Sequence, residues 1–231
     1  MIVIIRTNNY SIKDFKVFSL ITPEELELMK DYLFYREYKK NQLLFSEGDP
    51  RERIYFLIDG FVKLEKINLD ASASYTSYIK PKELFPYRGM FFDDYYDISA
   101  SAISDIKVYY IPTTIFEQFV KENNERLSYI ILELSHIISK QVNRIQISSV
   151  NHVREKVEFC IAYLMKNYGE DIGDSVKVEL PMTIKELSIM LGVSRESVSA
   201  CCSELKKENL ISLKNKNIII LNRYYFNCKL M

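Results

Sequence analysis

The residues best suited to chemistry lie between Thr183 and Leu210, in TIKELSIMLGVSRESVSACCSELKKENL, where Arg195 is followed directly by Glu196. A guanidinium can donate two hydrogen bonds to guanine O6 and N7, and a carboxylate can accept from cytosine N4. That chemistry needs both groups at the exposed start of a rigid helix. The surrounding residues supply one. Thr183 and Glu186 form a T-x-x-E capping box that starts a first helix, with Ile184, Leu187 and Leu191 on its apolar face. Gly192 supplies a tight turn, and Ser194 caps a second helix. Two short helices joined through a glycine turn make a helix-turn-helix. On the second helix Val198, Cys201, Cys202 and Leu205 share the inward face, leaving Arg195, Glu196, Ser199, Ala200 and Ser203 outward. The following ENLISLKNKNIIILN reads as a β-hairpin with Lys214 and Lys216 at its tip, placed to touch backbone phosphate. The candidate DNA-binding residues are therefore Ser194, Arg195, Glu196, Ser199, Ser203, Lys214 and Lys216.

Other chemistries fare worse. Two histidines, His136 and His152, are too few for an ordinary catalytic zinc site and make a Ser-His-Asp arrangement a poor fit. The four cysteines, Cys160, Cys201, Cys202 and Cys228, show no CxxC pairing, so neither a zinc knuckle nor a secreted disulfide framework is expected. Neither metal nor cofactor is expected, and an enzyme is not. Vicinal Cys201 and Cys202 cannot easily pair within a helix, which favours packing over a redox switch. Net charge is zero over 31 Lys/Arg and 31 Asp/Glu, but from Thr183 onward eight Lys/Arg face four Glu, an excess of four. That is a modest footprint for a polyanion. No run reaches the roughly 18 apolar residues of a membrane helix. The start, MIVIIRTNNY, lacks a basic leader and a cleavage site. A cytoplasmic location is expected. The competing class is a ligand-sensing or enzyme-regulatory module whose helix-turn-helix is structural; salt-dependent duplex binding separates the two.

Three segments must position these residues. From about 23 to 112, a Gly-Asp-Pro turn, the run RIYFLIDGFVKLEKI and the run ISASAISDIKVYYIP suggest short strands in a sandwich or roll. From 113 the period changes, with Thr113-Thr114 as helix start and no Pro or Gly before Asn151. Leu127, Ile131, Leu134, Ile138, Gln141 and Ile145 recur at spacings of four and three, a coiled-coil seam for a parallel homodimer. A helix packed on its own domain is the alternative. From 151, Asn151 is expected to cap a helix ending near Gly169, followed by a polar loop, GEDIGDS, and a strand, VKVELP. The fold expected is α+β: an N-terminal β-roll (1–112), a dimerisation helix (113–150) and a C-terminal winged helix-turn-helix domain (151–231).

The S-R-E-S-V run resembles the recognition helix of the Crp/Fnr family of bacterial transcription regulators. F-S-E-G-D and L-I-D-G-F-V-K-L resemble its cyclic-nucleotide-binding-like domain, in matching order. The resemblance implies a homodimer on double-stranded DNA with TGTGA-like half-sites, and RNA polymerase as a further partner. It also exposes departures. The family's ribose-holding Gly-Glu-Leu cassette falls on Pro86-Tyr87-Arg88, and its phosphate-holding Arg-Ser pair near Tyr96-Asp97. Cyclic AMP is therefore not expected to bind. No N-terminal cysteine cluster suits an iron–sulfur centre, and no β-domain histidine suits haem. The effector is unknown, with Tyr87, Arg88 and Tyr96 as candidate contacts. The aromatic group Phe85, Tyr87, Phe91, Phe92, Tyr95 and Tyr96 either lines a pocket or fills a core. Some relatives with an L-F-P-like run control arginine catabolism.

Overall fold

The computed structural model describes residues 12–19, 21–67, 74–214 and 217–229. The chain forms two compact units, 1–136 and 137–231. In the first, two 3-10 turns at Ile12–Asp14 and Lys16–Phe18 precede helix α1, Pro23–Lys30. A strand reading from residue 23 is thus corrected. Thr22 Oγ1 accepts from Glu25 N, and the Glu25 carboxylate accepts from Thr22 N, so a capping box with Pro23 at the first position starts a helix.

Among the described residues eight strands follow: β1 Phe34–Tyr38, β2 Leu43–Phe45, β3 Arg53–Asp59, β4 Val62–Ile67, β5 Ser74–Ile79, β6 Leu84–Phe85, β7 Ser99–Ala102 and β8 Ile106–Pro112. They form two antiparallel four-stranded sheets, ordered β1-β8-β3-β6 and β2-β7-β4-β5. Strand β3 reads as an unbroken apolar run because both of its faces are covered. Ile54, Phe56 and Ile58 join a core with Phe15, Phe18, Phe116 and Phe119. Tyr55 and Leu57 join the core with Phe45, Val62, Phe85 and Tyr96. The chain crosses from one sheet to the other at Gly60, with φ +83°, where a Cβ would lie 2.3 Å from Asp105 O. Only glycine fits there.

The expected single helix from 113 is two: α2, Thr113–Lys121, and α3, Asn124–Ser149. Asn123 causes the break. Its Oδ1 accepts from Glu125 N (2.8 Å) and Arg126 N (3.2 Å), offering those amides an alternative to α2's ladder. The first unit ends inside α3, at His136, so α2 and the first half of α3 belong with the β-roll.

The second unit continues with α4 Val153–Tyr168, β9 Gly169–Ile172, β10 Ser175–Val178, α5 Ile184–Leu191, α6 Arg195–Lys207, β11 Ile211–Lys214, β12 Asn217–Ile220 and α7 Arg223–Asn227. Its sheet runs β11-β12-β10-β9. Two expectations are corrected here. The residue before α4 is His152, not Asn151, and it makes no side-chain cap. The loop GEDIGDS is half strand: Gly169–Ile172 pairs with Ser175–Val178 around Gly173. Paired carbonyls and amides override poor strand composition there.

Candidate nucleic-acid interface

Helices α5 and α6 hold the candidate residues by the devices their sequence encodes. Thr183 Oγ1 accepts from Glu186 N (3.2 Å), and the Glu186 carboxylate accepts from Thr183 N (2.6 Å). Gly192 ends α5 in the left-handed region at φ +62°. Ser194 Oγ accepts from Ser197 N (3.1 Å), starting α6. Leu187, Leu191, Val198, Cys202 and Leu205 are buried, which fixes the rotation of both helices.

Arg195, Glu196, Ser199, Ala200 and Ser203 are all exposed, on one face of α6. Among the described residues neither Arg195 nor Glu196 is held by a side-chain partner. The two groups are free to bond elsewhere, and the +0.5 partial charge at a helix N-terminus adds attraction for an anion. Two serines are less free. The Ser194 hydroxyl is occupied by capping and lies 2.8 Å from Ser197 Oγ, and Ser203 Oγ donates to Ser199 O (2.8 Å). In the hairpin, Lys214 pairs with Asn217 across the turn and is exposed. Lys216 lies outside the described residues.

Cys201 is half-buried, a departure from the inward face expected for it. Cys160 and Cys202 are buried free thiols, pushed by burial up to about 12 and about 11. Such thiols are poor nucleophiles and act as core packing.

The candidate effector contacts in the first unit do not converge. Tyr87 packs against the Phe56 core and Tyr96 lies in the Phe45 core. Tyr96 is stacked on Phe45 (3.8 Å, 16°), and its hydroxyl donates to Arg53 O (2.8 Å). Burial pushes Tyr96 up to about 12. Arg88 is already neutralised, its Nε donating to Asp97 Oδ2 at 2.7 Å. The aromatic group splits likewise: Phe85 is buried, whereas Phe92 and Tyr95 are exposed. Sequence reading missed the lock on this segment. Arg51, 3% exposed, donates to Asp93 O (2.7 Å) and Glu117 Oε1 (2.6 Å), and that oxygen also accepts from Phe91 N (2.8 Å). Beside Tyr96 is a cleft of about 230 Å³ lined by Phe45, Asp49, Glu52, Arg53 and Tyr55.

The α3 stripe is shifted from the seam expected. Leu127 and Leu134 lean on their own core beside fully buried Ile130. Ile131, Ile138 and Ile145 are 60%, 64% and 65% exposed, and Val142, absent from the expected seam, joins them. Gln141 is half-buried.

A β-roll followed by a winged helix-turn-helix with a free Arg-Glu pair defines a DNA-binding regulator. Residues 35–123 match the cyclic nucleotide-binding domain family, and residues 160–226 the Crp-like helix-turn-helix domain. The chain belongs to the Crp/Fnr family of transcription regulators. It is 28% identical over 191 residues to the HTH-type transcriptional regulator ArcR of Staphylococcus epidermidis, covering 83% of each chain. The S. aureus ArcR is 24% identical over 210 residues, 91% of this chain and 87% of that one. FixK2 from Bradyrhizobium japonicum shares the fold at TM-score 0.73 and 17% identity, over 85% of this chain and 96% of that one. A CooA variant from Carboxydothermus hydrogenoformans does so at 0.72 and 16%, over 96% of each. No described helix is long and apolar enough to cross a membrane.

Proposed function

We propose that this regulator binds a palindromic, TGTGA-like operator as a homodimer and does so without cyclic AMP. The observation that carries the reading is the exposed, unpartnered Arg195-Glu196 pair in the first turn of a capped helix. Arg195 reads a guanine, Glu196 accepts from a cytosine on the opposite strand, and Ser199 lies one turn further along the same face. Lys214 and Lys216 contact phosphate from the wing. Ser194 and Ser203 contribute less, since their hydroxyls are engaged within the helix. The exposed α3 stripe of Ile131, Ile138, Val142 and Ile145 supports a two-fold dimer with half-sites about 10 bp apart.

The first unit's chemistry supports independence from cyclic AMP. The aligned stretches offer neither a ribose-holding carboxylate nor a free guanidinium, because Arg88 is held by Asp97. Stacked aromatics cover the ring of Tyr96, and in the adjoining cleft the carboxylates of Asp49 and Glu52 outnumber the Arg53 guanidinium, which lies over the Tyr110 ring. Selection of duplexes from a random pool, followed by anisotropy titration with and without cyclic AMP, tests the proposal. A recovered site without two-fold symmetry, or one bound only with cyclic AMP, refutes it.

A further inference from the structure

We propose that Arg154, at the start of α4, is a positioning residue for α6, held in place by Glu158 and the C-terminal helix α7. The inference rests on the reading of α6 as the base-contacting helix. Arg154 spends its three nitrogens on two elements. Its Nε donates to Glu158 Oε1 (2.9 Å) on α4. Its Nη1 donates to Glu204 Oε2 (3.2 Å) and its Nη2 to Glu208 Oε2 (2.6 Å), at the far end of α6. Glu158 is 5% exposed on its side chain and anchors the guanidinium from below. Its Oε1 also accepts from the Tyr225 hydroxyl (2.7 Å), and its Oε2 pairs with Lys229 Nζ (2.8 Å). Lys229 in turn lies 5.3 Å over the Tyr225 ring. Burial alone would raise the Glu158 carboxyl. The donors Lys229, Tyr225 and Arg154 outweigh it and hold the group below its usual range, hence ionised.

This arrangement fixes the end of α6 that the turn does not. The N-terminal end is set by Gly192 and the Ser194 cap. The 13 residues of α6 make a rod of about 20 Å that pivots on its capped first turn, so a displacement of about 3 Å at the far end re-aims the Arg195 side chain by about 10°. A change of aim of that size is enough to weaken bidentate hydrogen bonds, which need both donors aligned. A planar guanidinium fork resists such tilting better than a point charge. It also neutralises two carboxylates that α6 would otherwise carry towards a polyanion.

The test uses the full chain and two duplexes of equal length, the selected site and a scrambled version, at fixed salt. Arg154→Ala should lose about tenfold or more on the selected site, with under about threefold on the scrambled one. Arg154→Lys should match wild type on the scrambled duplex and leave discrimination impaired. Tyr225→Phe deletes one oxygen and should lower discrimination by a smaller factor. Its effect should vanish in the Arg154→Ala background, because it reaches α6 only through Arg154. Thermal melts establish that each variant is folded, and Tyr225→Phe carries the test if Arg154→Ala is not. Equal losses on both duplexes, or full additivity of Tyr225→Phe with Arg154→Ala, would overturn the proposal. A wild-type protein that prefers no duplex refutes the reading of α6 itself, and the proposal falls with it.

Discussion

Changing Ile131 and Ile138 to Lys should convert the protein from dimer to monomer while leaving each protomer folded. Burying an isoleucine side chain outright contributes about 1.5–3 kcal/mol. These two are 60% and 64% exposed, so each has about 1–2 kcal/mol still to gain on burial. A two-fold dimer contains four such side chains, worth about 4–8 kcal/mol together. A micromolar dimer has about 8 kcal/mol of association free energy. The double substitution should therefore weaken association by about 10³-fold or more, before repulsion between opposed ammonium groups is counted. Sedimentation velocity at about 1–10 μM reads the change directly. Leu134→Lys is the informative contrast. Leu134 leans on the core of its own unit, so its replacement should lower the melting temperature at every protein concentration, whereas the isoleucine changes should remove only the concentration-dependent part that association supplies. A wild-type monomer at these concentrations, or a double variant that stays dimeric, would refute the reasoning.

Arg195→Ala should cost about 1–3 kcal/mol per half-site on the selected operator and relax preference at one base pair in each half; an equal loss on scrambled DNA would make it a phosphate contact. Lys214→Ala removes one phosphate contact from each half of the dimer, so it should weaken all duplexes alike and reduce the slope of log affinity against log salt by about two. Calorimetry with cyclic AMP and cyclic GMP should show no micromolar isotherm; a clear one would contradict the reading of Arg88 and Asp97. Glu158, held below its usual range, stabilises the fold above its unfolded value near 4.5 and loses that effect as pH falls through the folded one. The gap in melting temperature between wild type and Glu158→Gln should thus be steady from about pH 6 to 8 and close below about pH 4.5; a gap that widens in acid would reverse the assignment.

The sequence by itself determined what is encoded within a few residues. The Thr183-Glu186 box, the Gly192 turn and the Ser194 cap each satisfy backbone groups one turn away, so the helix-turn-helix and its exposed Arg195-Glu196 face are legible in order. The Thr22-Glu25 box at α1 and the Asn222 cap of α7 are equally local, and attention to them would have revealed both helices. Tertiary structure decided what depends on partners far along the chain. Periodicity marked α3 as apolar, but only packing shows that Ile130, Leu127 and Leu134 are used by the core of the first unit while Ile138, Val142 and Ile145 are left bare. The pairing of Arg51 with Glu117, 66 residues on, and of Arg154 with Glu204 and Glu208, 50 and 54 residues on, leaves no periodic trace. Such charges are placed by where sheets and helices bring their stems. A charge in a sequence declares its sign, and only the fold assigns its counterion.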